Sequence, residues 1–345
     1  MRNPTILVSV LAIVAPALAQ EMPKPAAAIA NFDPLLGAWK GQGTYRESAD
    51  GESKPWTATM SFSKVLAGFA VQEDLVIDVG QGSPLVMRSV YGYDGEGARA
   101  LVLAMSNDGN AHLMDWAFPQ AGVLTVYGAA QTPMGISVGR SVVEFTKDSY
   151  RFRHEGCRDT GKFFTEVEGS FARATDATAK SAVNASFMDL PISAEMTALA
   201  KINGTYRVAG KMKMTAEAPE MAIAGVETIT PLFGGHVIVS SVISDPDPMG
   251  QYFGQTYFSW NPTTSCYDVV GFDSMGMAGK MISRWSKPGT QLVNSASNVA
   301  MGNLNAMQMI VNLGEHGVSS VKGWSISGAS DPYVSFEATY TPKKD

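Results

Sequence analysis

The sequence predicts an all-β protein built as two tandem antiparallel β-barrels, roughly ten strands each, with a short helix before each barrel. Three observations carry this. Gly37, Gly43, Gly68, Tyr93, Asp94 and Gly109 recur as Gly204, Gly210, Gly235, Trp260, Asn261 and Gly276, at a constant offset of 167 residues. A register held over such a span marks two copies of one domain. Within each copy the apolar residues alternate with period two, as on strands with one distinct face. Turn signals then interrupt these runs at short intervals.

The elements follow in chain order. Residues 1–19 read as a secretory signal peptide: Arg2 supplies the positive charge, Ile6 to Val14 a short apolar core, and Ala17-Leu18-Ala19 a small-x-small cleavage site before Gln20. The apolar run is shorter than the roughly 20 residues that cross a bilayer. The expected location is therefore periplasmic or secreted, with no membrane span in the mature chain. Residues 20–30 are Pro/Ala-rich and read as a flexible lead-in, and residues 174–190 as a small, polar linker. The first barrel is assigned to residues 31–173 and the second to 191–345. Each opens on a helical turn, Asn31 to Leu36 and Ser193 to Ile202, where Ser193 is the N-cap and Glu195 lies in the first turn.

Strand patterns fill the rest. Leu85, Met87, Ser89, Tyr91 and Tyr93 share one face, Thr256, Phe258 and Trp260 the equivalent face of the second copy, and Val334, Phe336, Ala338 and Tyr340 one face of the last strand. Asp50-Gly51, Asp94-Gly95, Asn107-Asp108-Gly109, Lys147-Asp148, Asn261-Pro262 and Lys287-Pro288-Gly289 mark turns. Many short antiparallel strands must hide their edges, which a closed barrel does, and a barrel of this strand number is wide enough for an internal cavity.

Composition removes several functions. The chain carries 26 basic and 32 acidic residues, a net charge of −6 without blocks, so it lacks the basic stripe of a nucleic-acid binder. Cys157 and Cys266 occupy non-equivalent positions and form no Cys-x-x-Cys pair, which leaves one bridge between the copies or two separate thiols.

Leu36-Gly37-Ala38-Trp39-Lys40-Gly41 resembles the Gly-x-Trp opening of lipocalin-like (calycin) barrels, in which the Trp closes the base. Phe233-Gly234-Gly235, Phe258-Ser259-Trp260-Asn261 and Val270-Gly271-Phe272-Asp273-Ser274-Met275-Gly276 are similar, in that order, to a bacterial family of lipocalin-like domains of unknown function. The resemblance covers both copies and implies a fold rather than a chemistry. The copies differ within it: Asn107 and Asp108 stand where the second has Ser274 and Met275, and Tyr206 stands where the first has Trp39.

The resemblance also brings haem into view, because nitrobindin-type barrels hold it through one internal His. His154 follows Tyr150 and Phe152 on one face and is the best internal candidate. His112 shares a face with Met114 and Trp116, His236 precedes a strand, and His316 lies in a turn. None recurs in the other copy, and a His on an apolar face is more often a hydrogen-bonded core residue, so no cofactor is assigned. Gly135-Ile136-Ser137-Val138-Gly139 matches a nucleophile elbow as a string, but a strand follows it where the elbow needs a helix. Asp245 and Asp247 are too few for a calcium loop. Glu166 and Glu168 are placed together on the outer face, and Asp273 with Ser274 reads either as a polar spot at a cavity mouth or as a turn cap. The candidate cavity residues are Trp39, Phe62, Tyr91, Tyr93, His154, Tyr206, Phe258, Trp260, Asp273 and Met281. Apolar walls with a few polar groups suit a binder or carrier of a small apolar or amphipathic molecule. The alternatives are solid barrels that bind a protein partner, or a haem-binding or enzymatic barrel.

Overall fold

In each copy the side chains at alternate positions turn inward, and ten strands close on themselves so that no edge is left unpaired. The structure, a computed structural model, describes residues 24–80, 82–95, 98–132, 135–158, 162–175, 191–247, 250–300 and 303–343. The predicted signal peptide, the first part of the predicted lead-in and residues 176–190 of the predicted linker lie outside the described residues.

In the first barrel the strands are β1 (Gly37–Tyr45), β2 (Lys54–Val65), β3 (Ala70–Asp78), β4 (Leu85–Asp94), β5 (Arg99–Ser106), β6 (Ala111–Gln120), β7 (Val123–Thr132), β8 (Gly135–Phe145), β9 (Ser149–Arg158) and β10 (Phe164–Ala174). Neighbours in sequence pair as an antiparallel meander, and β1 closes on β10, Gly41 opposite Phe171. The second barrel repeats this with β11 (Gly204–Met212), β12 (Met221–Leu232), β13 (Val237–Ser244), β14 (Phe253–Asn261), β15 (Cys266–Asp273), β16 (Ala278–Lys287), β17 (Gln291–Ala300), β18 (Asn303–Gly314), β19 (Gly317–Ser327) and β20 (Tyr333–Pro342), closed between β11 and β20. Even the turn between the second and third strands recurs: Leu66 and Ala67 take positive φ in the first barrel, Phe233 and Gly234 in the second.

A helical segment plugs one end of each barrel. In the first, α1 (Ala27–Ala30) leads into a 3-10 turn over Asp33–Leu35. The sequence places this segment later, at Asn31 to Leu36, and leaves Ala27–Ala30 in the lead-in. The helix starts earlier because Ile29 is needed inside, buried beside Phe32 and Leu35. Phe32 is the stopper, its ring 4.9 Å from Tyr91, 5.2 Å from Trp116 and 5.0 Å from Phe118. In the second barrel α2 (Ala194–Leu199) runs on through a 3-10 turn to Ile202. Ser193 caps it as expected, its Oγ accepting from Met196 N at 3.1 Å. Ser193→Ala is expected to cost about 1 kcal/mol of second-barrel stability in a urea titration, and an unchanged midpoint would show that the cap contributes nothing.

Both differences between the copies turn out to preserve a bond. Trp39 Nε1 donates to Leu35 O at 2.7 Å, and Tyr206, its counterpart, donates its hydroxyl to Ile202 O at 2.8 Å. Each aromatic therefore ties the first strand to the plug four residues before it. Asn107 Oδ1 accepts from Val86 N and Ser274 Oγ accepts from Phe253 N, each at 3.0 Å. Different side chains close the same hairpin onto the same neighbouring strand.

Candidate functional site

The interior of the first barrel is mostly aromatic. Trp39, Trp56, Phe62, Tyr91, Trp116, Phe145, Tyr150 and Phe171 pack around Phe32, with Tyr93, Phe118 and Phe152 partly buried against them. Tyr150 lies among them, with ring centroids 6.0 Å from Trp39, 6.4 Å from Phe62 and 5.1 Å from Phe171. Arg173 covers the outside of Trp39, its guanidinium 4.1 Å from the ring, and donates to the carbonyls of Pro34 and Leu36. Of the predicted cavity residues, Trp39, Phe62, Tyr91 and Tyr93 thus share one interior.

That interior contains an acid that sequence reasoning missed. Glu73, on β3, is buried among Val71, Leu75 and the facing aromatics, directly opposite Ser89. It accepts a hydrogen bond of 2.7 Å from the Tyr91 hydroxyl. Burial pushes its carboxyl up to about 7, and the Tyr91 and Ser89 hydroxyls oppose that rise only in part. Burial and the nearby Glu73 also hold the Tyr150 hydroxyl well above the usual phenol range. A periodicity reading had one signal to offer: a single acid in phase with the apolar residues of its strand.

A second polar group sits further along the same wall. His154 lies on the inner side of β9, in phase with Tyr150 and Phe152 as predicted, and its Nδ1 is 2.9 Å from Ser141 Oγ. Its Nε2 is 3.8 Å from Glu166 Oε2. Glu166 is a correction. It is buried while Glu168 is exposed, because a β-bulge between Thr165 and Val167 inserts one extra residue and breaks the alternation. Gly139, from the apparent elbow motif, lies in strand β8, where an added Cβ would stand 2.8 Å from His154 Cε1. Its lack of a side chain makes room for the imidazole. Both ring nitrogens of His154 face protein oxygens, which orient its partly exposed imidazole.

The second barrel has a softer interior. Met196, Met212, Met221, Met281, Met307 and Met309 belong to its core, with Met214 and Met275 against it, alongside Tyr206, Phe258 and Tyr267. Of the predicted residues, Tyr206, Phe258 and Met281 lie in this core and Trp260 packs on it, its ring 5.1 Å from Tyr267. Asp273 is buried but serves as the turn cap: its Oδ1 accepts from Met275 N at 2.9 Å and Met277 N at 3.0 Å. Burial raises its pKa to about 7 against those two backbone donors. With Ser274 bonded to Phe253, neither residue is left for a ligand, so the polar-spot reading of this pair gives way to the cap.

The second barrel also holds a missed acid. Glu227, on β12 in phase with Ile223 and Ile229, is 3% exposed and accepts from Ser240 Oγ at 2.5 Å. Burial raises its pKa, opposed by Ser240 and Tyr340. The two acids are not repeat equivalents, since Glu73 matches Ser240 and Glu227 matches Met60 at the 167-residue offset. They also differ in how well they are satisfied. Glu227 Oε2, the Tyr340 hydroxyl, Ser283 Oγ and Asn294 Oδ1 are buried with no hydrogen-bond partner among the described residues, and all four belong to inward positions of this barrel.

Other predicted chemistry resolves simply. Asp245 pairs with Arg207. Cys157 and Cys266 are both free thiols, so the bridge between the copies is not formed. Among the described residues no group of three His, Cys, Asp or Glu is arranged to hold a metal, and no helix is long and apolar enough to cross a membrane.

No protein-family model and no curated protein matches the chain. Among solved structures it is similar to Rv2717c from M. tuberculosis (12% identity, TM-score 0.35, covering 44% of this chain and 99% of that one). It is similar to the S-type phycobiliprotein lyase CPES from Guillardia theta (10%, 0.31, 44% and 99%). A third is a DUF3598-family protein of unknown function from Nostoc punctiforme (10%, 0.31, 92% and 100%). At such scores these likenesses carry no argument, and the class of the protein rests on its own strand order: a tandem of closed, ten-stranded antiparallel barrels, each plugged by a helical turn.

Proposed function

We propose that the protein is an exported, non-enzymatic binder or carrier of a small apolar or amphipathic molecule, held inside a barrel. The observation that carries this is the inner wall of the second barrel. Four buried polar atoms there have no hydrogen-bond partner among the described residues, and they are set among flexible methionines. Buried polar groups are nearly always hydrogen-bonded, so such a set is completed by a guest or by water. Methionine side chains adapt to irregular apolar shapes at little cost. The polar groups that suggested chemistry in the sequence point the same way, because Asp273 and Ser274 are committed to a turn and Ser137 to a strand.

A second reading, in which the barrels are solid and a protein partner binds outside, draws on one feature. A depression of about 740 Å³ opens on the second barrel, lined by Ile282, Trp324 and Ile326 among polar neighbours.

Native mass spectrometry of protein purified from its own compartment separates the two. The binder reading expects a native mass above the denatured mass, or uptake of an apolar fluorophore by the unliganded protein. An unliganded mass together with no uptake would leave the partner reading. The denatured mass also tests export, since cleavage after Ala19 fixes the mature mass.

A further inference from the structure

The second barrel contains a buried acid without a base. Glu227 is acted on by Ser240 from β13 and Tyr340 from β20, and in turn bears on Tyr206 from β11. No Lys, Arg or His is among the groups that shift it. Ser240 takes up Oε1. Oε2 and the Tyr340 hydroxyl face each other closely enough that the pair lowers the Glu227 pKa and raises that of Tyr340, but among the described residues neither atom meets a partner in hydrogen-bond geometry. Glu73 in the first barrel supplies the contrast. It is likewise buried and likewise has no base among the groups that shift it, yet Tyr91 bonds its Oε2 at 2.7 Å. The first acid closes a bond to its facing tyrosine; the second does not.

Resting on the binder reading, we propose that the second barrel takes an amphipathic amine, with the ammonium head on Glu227 Oε2 and the Tyr340 hydroxyl and the apolar body on the methionine-rich wall. One ammonium carries three donors, so it can serve both orphaned oxygens at once. It also supplies the counter-charge that a buried carboxylate needs. A fatty acid would instead bring a second negative charge to Glu227, and an alcohol would leave the carboxylate without its counter-ion.

Proton linkage follows from the same geometry. Burial keeps the Glu227 carboxyl protonated above its ordinary range, and the facing tyrosines titrate higher still. The ammonium binds the ionised form, so uptake releases a proton and affinity rises with pH until the amine itself deprotonates.

The test is calorimetry of the full mature chain with dodecylamine, 1-dodecanol and dodecanoate, each kept monomeric, in buffers of different ionisation heat. The expected result is amine binding at least tenfold tighter than the other two, with proton release on binding that diminishes as pH rises. Glu227→Gln reduces amine affinity to that of the alcohol. Tyr340→Phe, which keeps the carboxylate, weakens the amine several-fold, and Glu73→Gln changes none of the three. Equal binding of all three probes, or an amine affinity unmoved by Glu227→Gln, overturns the amine assignment while the binder reading stands. If none of the three binds, both readings fall.

Discussion

Glu73→Gln is expected to make the first barrel more stable than the parent at pH 8 and to change it little at pH 5. The folded carboxyl titrates at about 7 because it is buried, against 4.5 for the free group. Below about pH 4.5 both states hold the proton and the group contributes no pH dependence. As pH rises towards 7 the unfolded chain loses that proton first, the native state binds the excess, and stability falls. At roughly 1.4 kcal/mol per pKa unit the total loss approaches about 3 kcal/mol, and it levels off above the folded pKa. Gln is neutral and nearly isosteric, and its carbonyl still accepts from the Tyr91 hydroxyl. The variant therefore removes the slope and keeps the bond. Urea denaturation at the two pH values, followed through the tryptophans of the first barrel, reads the effect. Equal destabilisation at both would mean that Glu73 is ionised in the native state and that Tyr91 holds it so.

Phe32→Ala carries the largest expected loss. Phe32 is fully buried in the plug and touches Tyr91, Trp116 and Phe118 edge-on or tilted. Truncation removes the apolar area and leaves a void that three large rings cannot close, at about 3–5 kcal/mol. Phe32→Leu, which fills most of the space, is expected to lose less than half of that. Thermal unfolding of the parent and both variants orders them. A loss below about 1 kcal/mol for Phe32→Ala would show that the helical segment sits on the barrel without sealing it.

The repeat was legible in the sequence because glycines and turn residues cannot drift without breaking hairpins. The constant offset from Gly37 to Gly204 corresponds to the first residue of β1 and of β11. The two departures, Trp39 against Tyr206 and Asn107 against Ser274, became intelligible only through hydrogen bonds. Each pair performs one task with different atoms. The start of the first plug was misplaced because Ala26 to Ala30 lacks a cap signal and its one informative residue, Ile29, reports tertiary burial rather than local propensity. Glu166 was placed on the wrong face because a bulge shifts the phase of β10, and nothing in Thr165-Glu166-Val167 announces one.

The central acids belong to a different class of miss. Glu73 stands in phase with Val71, Leu75 and Ile77, and Glu227 with Ile223 and Ile229, so both were visible as acids on apolar faces. Neither is aromatic, so a search for cavity-lining rings does not single them out. What no periodicity could supply is the difference between them. Glu73 is satisfied by a tyrosine on the next strand, while Glu227 meets Tyr340 only through barrel closure, across the pairing of β11 with β12 and β20.

The most direct measurement of interior binding is methyl NMR of the methionines during a dodecylamine titration. Met281, Met307 and Met309 are each at most 3% exposed inside the second barrel. Saturable shifts at these methyls, lost in Glu227→Gln, are the result predicted for a guest inside the barrel. Binding that leaves these three methyls unmoved would place the ligand elsewhere and contradict the account.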